Sequence, residues 1–438
     1  MHNWMFIDSY AELRKRIIKE QTIISLAQFG IKAFEDIGND IVQTCSFIFR
    51  NYSVKDYQSI FIRLVEYKDF YQKEKEFFDT KNHSVISKDL FSYSPSTMFS
   101  YWVPKEFFEN YIDSNYIESY GNYTGSKNIT GNNDKYVRFF WEVESNQIEN
   151  KAWIPYSKGG FYRKYYGNII HVVNWTKTAR DFYRTNKTSN LLNEEFWFKS
   201  GITYSAVTSR GTGFRYFPAG YLFDYGGPVI NTRQEYTAIL LALLNSKIAD
   251  YYFHAMNPSV NLQTRDIRSF PIKLPQDTEL KEIAQQQIKF AKDEWSEFEN
   301  TLEFKKNRLI EYSFKNNLNS IKKTIKLKSQ SISHARKIYL ENELKINNEF
   351  KKIYNLQNLQ VEFEERDIPI RSLNIKNEIK SFISYLIGVL MGRYSLTEEG
   401  LIYAGGTFDF SRYGSYDLDE DGIIPIFTDL SVENSLVH

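Results

Sequence analysis

EYTAILLALLNSKIADYYFHAMN, residues 235–257, is apolar around most of the circumference of a helix and is closed by Asn257-Pro258. That pattern predicts one buried helix, because a helix with almost no wet face needs packing on every side. It is expected to be the spine of the domain that contains it. Upstream, from about residue 90, the texture is different: short aromatic segments separated by Gly, Asn and Pro, as in FSYSPSTMFSYWVP (91–104), GNYTGSKNITGNND (121–134) and KYVRFFWEV (135–143). Turn signals this frequent predict a mixed, strand-rich domain with long functional loops.

On the N-terminal side, Ser9 followed by Glu12 forms a capping-box signature, and Leu13, Ile17 and Ile18 recur at helical spacing. TIISLAQFG (22–30) and IVQTCSFIFRN (41–51) read as two buried strands around a connecting loop. Together they look like the end of an α/β sheet with too few strands to be complete. After Pro275 the chain turns helical and polar, with Ile283, Ile288, Phe290, Trp295, Phe298 and Leu302 at loosely helical spacing. Residues 305–337 carry ten Lys or Arg against the single acid Glu311, which predicts a long basic helical arm or a pair of helices. IKSFISYLIGVLMGRYSL (379–396) is a second apolar helix, and a Gly-rich, Asp-rich tail follows it.

The chain has 438 residues, more than one core usually organises, so two or three domains are expected. Net charge is +1, and any affinity for a polyanion must therefore come from local segregation of charge. The lone Cys45 sits in an apolar run, where a buried inert thiol is the natural reading, and a disulfide framework is excluded. No segment reaches the roughly 18 unbroken apolar residues of a membrane span, and the N-terminus lacks the pattern of a signal peptide. The reading is a cytoplasmic protein with no membrane partner.

Charge is segregated at residues 151–187. Eight Lys or Arg stand there against Asp181 alone, interleaved with nine rings, and KAWIPYSKGGFYRKYYGN (151–168) holds six of those rings around a Gly-Gly turn. Cations attract phosphate and rings pack or stack, the combination used by nucleic-acid surfaces. A solvated sheet face whose rings are core has the same composition, and composition alone does not choose between them. Candidate DNA-binding residues in this stretch are Lys158, Arg163, Lys164, Tyr165, Trp175 and Arg180. A second group, Thr208, Ser209, Arg210 and Arg215, surrounds a flexible Gly-Thr-Gly, where hydroxyls and guanidinium groups can read base edges or phosphates. Gln263 and Arg265 follow the apolar helix; an ordinary helix-exit loop is the alternative. The Gly-Thr-Gly is no dinucleotide fingerprint, since the third Gly and the preceding apolar strand are missing.

Catalytic and metal constellations are not found. The six His have no metal spacing, no Ser lies in a nucleophile elbow, and there is no phosphate loop. Asp417, Asp419 and Asp421 open like a calcium loop, but Thr428 stands where the closing Glu is required, so a solvated acidic turn is the better reading.

Taken in order, WMFIDSYAELRKRII, TIISLAQFGIKAFEDIGNDIVQTCSFIFRN, SPSTMFSYWVP, AWIPYSKGGFYRKYYGN, FWFKSGITYSAVTS, FRYFPAGYLFDYGGP, LLNSKIADYYFHAMNPSVNLQTRDIRSFPI and IGVLMGRYSLTEEGLIYAGG resemble the PglX-like family, the large adenine-specific DNA methyltransferases of phage-defence (BREX) systems, and related single-chain restriction-modification enzymes. The resemblance covers nearly all of the chain. It implies α/β plus α+β architecture: a C-terminal remnant of a Rossmann-like methyltransferase sheet at 1–75, a DNA target-recognition domain at 76–275, a basic helical segment at 276–370 and a C-terminal module at 371–438.

The resemblance also implies S-adenosylmethionine as cofactor of the complete enzyme, bound by a Gly-rich loop, and an Asn-Pro-Pro-Tyr tetrapeptide for the flipped adenine. None of the ten prolines here adjoins another, and the Gly-rich loop is missing too, so no catalytic or cofactor-binding residue is expected in this chain. The expectation is a split or truncated enzyme, inactive alone, that binds double-stranded DNA and either completes a separate chain carrying the catalytic motifs, with other defence-system components as partners, or is a remnant of a disrupted gene. The rival is a non-enzymatic specificity subunit or decoy.

Overall fold

The computed structural model describes residues 2–34, 42–123, 127–206, 213–256, 262–276, 278–317, 320–414, 418–419, 424–426 and 435–437. It divides into two compact units, each assembled from separated stretches: 1–119 with 246–275 and 347–360, and 120–245 with 276–346 and 361–438. This differs from the division expected at 75, 275 and 370. The chain returns to the first unit twice, and only long-range packing can specify that. Among the described residues, no helix is long and apolar enough to cross a membrane.

The first unit is built on a mixed sheet. Its strands are β1 (Thr22–Gly30), β2 (Thr44–Arg50), β3 (Gln58–Arg63) and β4 (His83–Ser87), in the order β2-β1-β3-β4. β1 and β3 run parallel, with Gln28 opposite Arg63, whereas β2 and β4 pair antiparallel at the two edges. One face is filled by Ile23, Leu26 and Phe61, and Phe61 stacks on Tyr101 at 4.7 Å. β2 is an edge strand, and its Phe47 and Ile48 are exposed and not buried as expected. On the opposite face Ile48, Ile60 and Val85 are exposed and lie in one register row through Ser25.

Helix α1 (Ala11–Glu20) has no side-chain cap; the capping box expected at Ser9 is replaced by a 3-10 turn over Asp8–Tyr10. What anchors α1 is Arg14, fully buried, which donates to the carbonyls of Trp4, Ile7, Ser96 and Thr97. The short helices α2 (Phe70–Glu76) and α3 (Lys105–Glu109) complete the unit's first stretch.

The second unit contains two four-stranded sheets. One has the order β10-β9-β12-β5, from β5 (Gly121–Tyr123), β9 (Gly201–Tyr204), β10 (Phe214–Phe217) and β12 (Val229–Thr232). The other has the order β11-β7-β8-β6, from β6 (Val137–Phe139), β7 (Trp153–Ser157), β8 (His171–Asn174) and β11 (Leu222–Phe223). Short helices α4 (Asn133–Tyr136), α5 (Ser145–Glu149) and α6 (Lys177–Thr185) lie between these strands in sequence.

The apolar run 235–257 forms two helices where one was expected: α7 (Gln234–Leu244), in the second unit, and α8 (Lys247–Met256), in the first. The break lies at Asn245-Ser246. The Asn245 amide group bonds both the N–H and the C=O of Phe214 at 2.9 Å, and Ser246 Oγ accepts from the Ala249 amide to start a new helix. Every residue of α7 from Thr237 to Leu244 is buried, against β9, β10 and the later helix α10 (Glu279–Trp295). The short α9 (Thr264–Arg268) follows α8.

The helical remainder holds α11 (Arg308–Lys315), α12 (Ile321–Ile353) and α13 (Ile375–Leu390); the tail contributes a pair of short strands, β13 (Ile424–Ile426) and β14 (Ser435–Val437). The basic stretch 305–337 is thus a pair of helices. Its charge is partly internal, because Lys328 is buried between Glu297 at 2.8 Å and Glu378 at 2.7 Å. Asp417, Asp421 and Thr428 of the calcium-like turn lie outside the described residues.

Candidate nucleic-acid interface

In the second unit the pairing of strands brings three loops together. β11 runs parallel to β7, with Leu222 opposite Tyr156 and Phe223 opposite Ser157, so the loops that leave the two strands start side by side. Thr203 of β9 joins them: its Oγ1 lies 3.3 Å from Ser157 Oγ and donates to the Gly227 carbonyl at 3.2 Å. Further on, Ser205 Oγ donates to the Gly160 carbonyl at 2.9 Å and the Ala206 amide to the Gly226 carbonyl at 3.1 Å. The Gly-Gly turn is required by this closeness. Gly159 has φ +78°, and a Cβ there would lie 2.5 Å from the Gly226 oxygen; Gly160 has φ +142°.

At the tip of the turn Phe161 is 91% exposed. Tyr225, on the neighbouring loop, is 59% exposed, with the Lys127 ammonium 3.7 Å from its ring centroid. Burial lowers the Lys127 pKa, against the opposing pull of Asp224. Lys158 pairs with Asp224 at 2.8 Å, and the same carboxylate accepts from the Gly226 amide at 2.7 Å. The rim therefore presents two exposed rings and two ammonium groups on a hydrogen-bonded base. Phe161, Tyr225 and Lys127 escaped the choice of candidate residues, yet a signal existed: both rings adjoin a Gly-Gly pair, and a ring in such a turn has little local backbone to cover it.

For several of the expected DNA contacts the structure corrects the sequence reading. Arg163 turns inward, donating to the Tyr166 carbonyl at 2.7 Å and the Ala291 carbonyl at 3.2 Å, pairing with Glu294, and lying 5.0 Å from the Trp295 ring centroid. Lys164 is 4% exposed and donates to the Asn245 carbonyl at 3.0 Å, with Asp367 at 3.6 Å. Tyr165 is fully buried, its hydroxyl donating to Glu343 at 2.5 Å. Trp175 belongs to the apolar core with Tyr183 and Ile154. Arg215 is buried too, bonded to the Gly213 carbonyl and Ser205 Oγ; burial and the nearby Arg163 charge push its pKa down to about 9. These side chains fasten the sheets to one another and to the helices, because a ring or guanidinium excluded from water must find its partners within the protein.

Arg180 is half-buried, its guanidinium 5.8 Å from the Trp197 ring centroid. Thr208, Ser209 and Arg210 lie outside the described residues. Gln263 and Arg265 belong to the first unit, where Gln263 is exposed just ahead of α9. Arg265 helps to line a cleft of about 600 Å³ at the carboxyl ends of β1 and β3, with Gln28, Arg63, Trp102, Tyr251 and His254. Arg63 stacks on Trp102 at 4.5 Å, and the Asp250 carboxylate pushes the His254 pKa up to about 9.

No family model matches the chain. Two curated proteins align along 98% of it: the adenine-specific methyltransferase PglX of Lacticaseibacillus casei (strain Zhang), 31% identical over 455 aligned positions, and the adenine-specific methyltransferase BrxX of Escherichia coli O9:H4 (strain HS), 29% identical over 460. The chain spans 38% and 37% of those two proteins, a little over a third of their length. Among solved structures, the type IIL restriction-modification enzyme MmeI in complex with DNA aligns over 86% of this chain and 47% of its own, with a TM-score of 0.41 and 9% identity. The type IIG restriction endonuclease BpuSI aligns over 66% of this chain and 41% of its own, with a TM-score of 0.26 and 10% identity; neither structural likeness is strong enough to bear on function. Along almost its whole length, then, this chain is similar to a part of the adenine-specific methyltransferases PglX and BrxX.

Proposed function

We propose that this chain supplies the DNA-recognition portion of a site-specific adenine-N6 DNA methyltransferase of a phage-defence or restriction-modification system. The observation that carries this reading is the match of 98% of the chain to PglX and BrxX. The rim of Phe161, Tyr225, Lys127 and Lys158 is its DNA-facing surface; Thr208, Ser209 and Arg210 lie between Phe161 and Tyr225 in sequence. In this reading the mixed sheet of the first unit is part of the methyltransferase fold, and a polypeptide segment bearing the cofactor loop and the adenine pocket completes the enzyme.

S-adenosylmethionine is a sulfonium cation with a ribose whose hydroxyls want acceptors. The cleft at the ends of β1 and β3 suits it poorly, since Arg63, His254 and Arg265 line it and no carboxylate among the described residues does. That cleft is therefore not assigned to the cofactor, and in this reading the isolated chain does not methylate.

Titration of a fluorescent duplex at several salt concentrations tests the reading. Affinity should fall with a slope of about −0.9 per neutralised phosphate, and Lys127→Ala should flatten that slope by about one unit. Phe161→Ala should weaken binding and leave the slope alone, because it removes a ring and no charge. Unchanged affinity and slope in both variants would remove DNA from this rim.

A further inference from the structure

Helix α13 is apolar on two sides and covered on one. Tyr385, Gly388 and Val389 face a core of Phe304 and Tyr394, so closely that a Cβ on Gly388 would meet the Tyr394 ring at 2.6 Å. On another side Ile375, Ile379, Ile383, Leu386 and Ile387, at spacings i, i+4, i+8, i+11 and i+12, are each 38–57% exposed. At 100° per residue these five positions fall within an arc of about 120° that runs the roughly 24 Å length of the helix. Met391 and Leu396, also exposed, extend the apolar surface past its end. Scattered exposed apolar side chains are ordinary, but a continuous helical stripe marks an interaction surface.

Charge beside the stripe tells what fits it. Lys376 and Lys380 are exposed on this side, and neither has a salt bridge among the described residues. Glu378, the one acid of α13, is turned away into the pair with buried Lys328 at 2.7 Å. At 100° per residue Lys376 falls within the same arc, near its N-terminal end, and Lys380 just past its edge, so the stripe carries two positive charges and no acid of its own. A second copy of this chain fits badly. Antiparallel two-fold pairing would bring the Lys380 side chains of the two copies together near the middle of the contact, and parallel pairing would need the opposite edge, which Tyr385 and Val389 bury in the core.

We propose that this face of α13 is a docking surface for an amphipathic helix of a partner whose apolar stripe is bordered by Asp or Glu. Such a helix buries the isoleucines and places its carboxylates against Lys376 and Lys380, in the helix-in-groove manner.

The test is fluorescence anisotropy of the full chain titrated against two labelled synthetic helices of about three heptads, identical in their Leu and Ile stripe, one bordered by Glu and the other by Lys. The Glu-bordered helix should bind, the Lys-bordered one about ten-fold or more weaker, with added salt narrowing the difference. Ile379→Ser with Ile383→Ser should abolish binding while circular dichroism stays that of the wild type, since both side chains face solvent. Lys376→Glu with Lys380→Glu should reverse the preference, a gain that misfolding cannot mimic. Equal affinity for the two helices, or binding of neither, would overturn the proposal. So would concentration-dependent dimerisation of the wild type that the serine variant removes, since the occupant would then be a second copy.

Discussion

Arg163→Ala separates a structural arginine from a DNA contact. The guanidinium is 13% exposed and is spent on two backbone carbonyls, on Glu294 and on the face of Trp295. Breaking a buried ion pair costs about 3–5 kcal/mol when it strands the partner charge. Glu294 is not wholly stranded, because Arg371 also pairs with it at 2.6 Å, so the lower end, about 3 kcal/mol, is expected. For a unit of this size that lowers the midpoint of thermal unfolding by about 6–12 °C, at about 2–4 °C per kcal/mol. Differential scanning calorimetry of the full chain reads it. Arg163→Lys sharpens the test: it keeps the charge a phosphate would attract but loses the fork that spans several acceptors, so stability should fall while DNA affinity holds. A midpoint within about 1 °C of the wild type for Arg163→Ala, together with affinity lost for every duplex sequence, would refute the inward role and return Arg163 to the surface.

Burial raises the Glu303 pKa above its ordinary 4.5, and one of its oxygens accepts from the Tyr166 hydroxyl at 2.5 Å. A carboxyl whose folded pKa is raised binds its proton more tightly when folded, so stability falls as pH climbs from the ordinary carboxylate range through the raised value. Glu303→Gln should therefore be more stable than the wild type at pH 8 and no more stable near pH 4, as read by urea denaturation at the two pH values. Calorimetric titration of the isolated chain with S-adenosylmethionine should show no binding, and micromolar affinity would contradict the assignment of the cofactor to other segments. The exposed row Ile48, Ile60 and Val85 should make the chain self-associate; Val85→Lys should reduce light scattering at a given concentration, and monodisperse wild-type behaviour over a wide range would count against this.

What the sequence determined alone is local. β1 occupies the predicted TIISLAQFG, helix α10 carries the predicted Ile283, Ile288, Phe290 and Trp295, and α13 begins four residues before the apolar run predicted for it. These elements are legible because periodicity and punctuation act over neighbouring residues. The relationship to the PglX-like proteins was legible too, through ordered blocks. Tertiary structure alone decided the rest. Asn245-Ser246 can end one helix and cap another, but it does so here because the Phe214 backbone lies within reach of the Asn245 amide group. IVQTCSFIFRN has the composition of a buried strand and lies at a sheet edge, since strand order is set by partners far along the chain. In KGGFYRKYYGN the rings and cations are nearly equivalent as letters. Phe161 is left in solvent by a turn that only glycines can make, while Arg163, Lys164 and Tyr165 turn inward to Glu294, Asn245 and Glu343, residues 81 to 178 positions away. Composition places cations and rings together; only the arrangement of those distant acceptors decides which of them meet water.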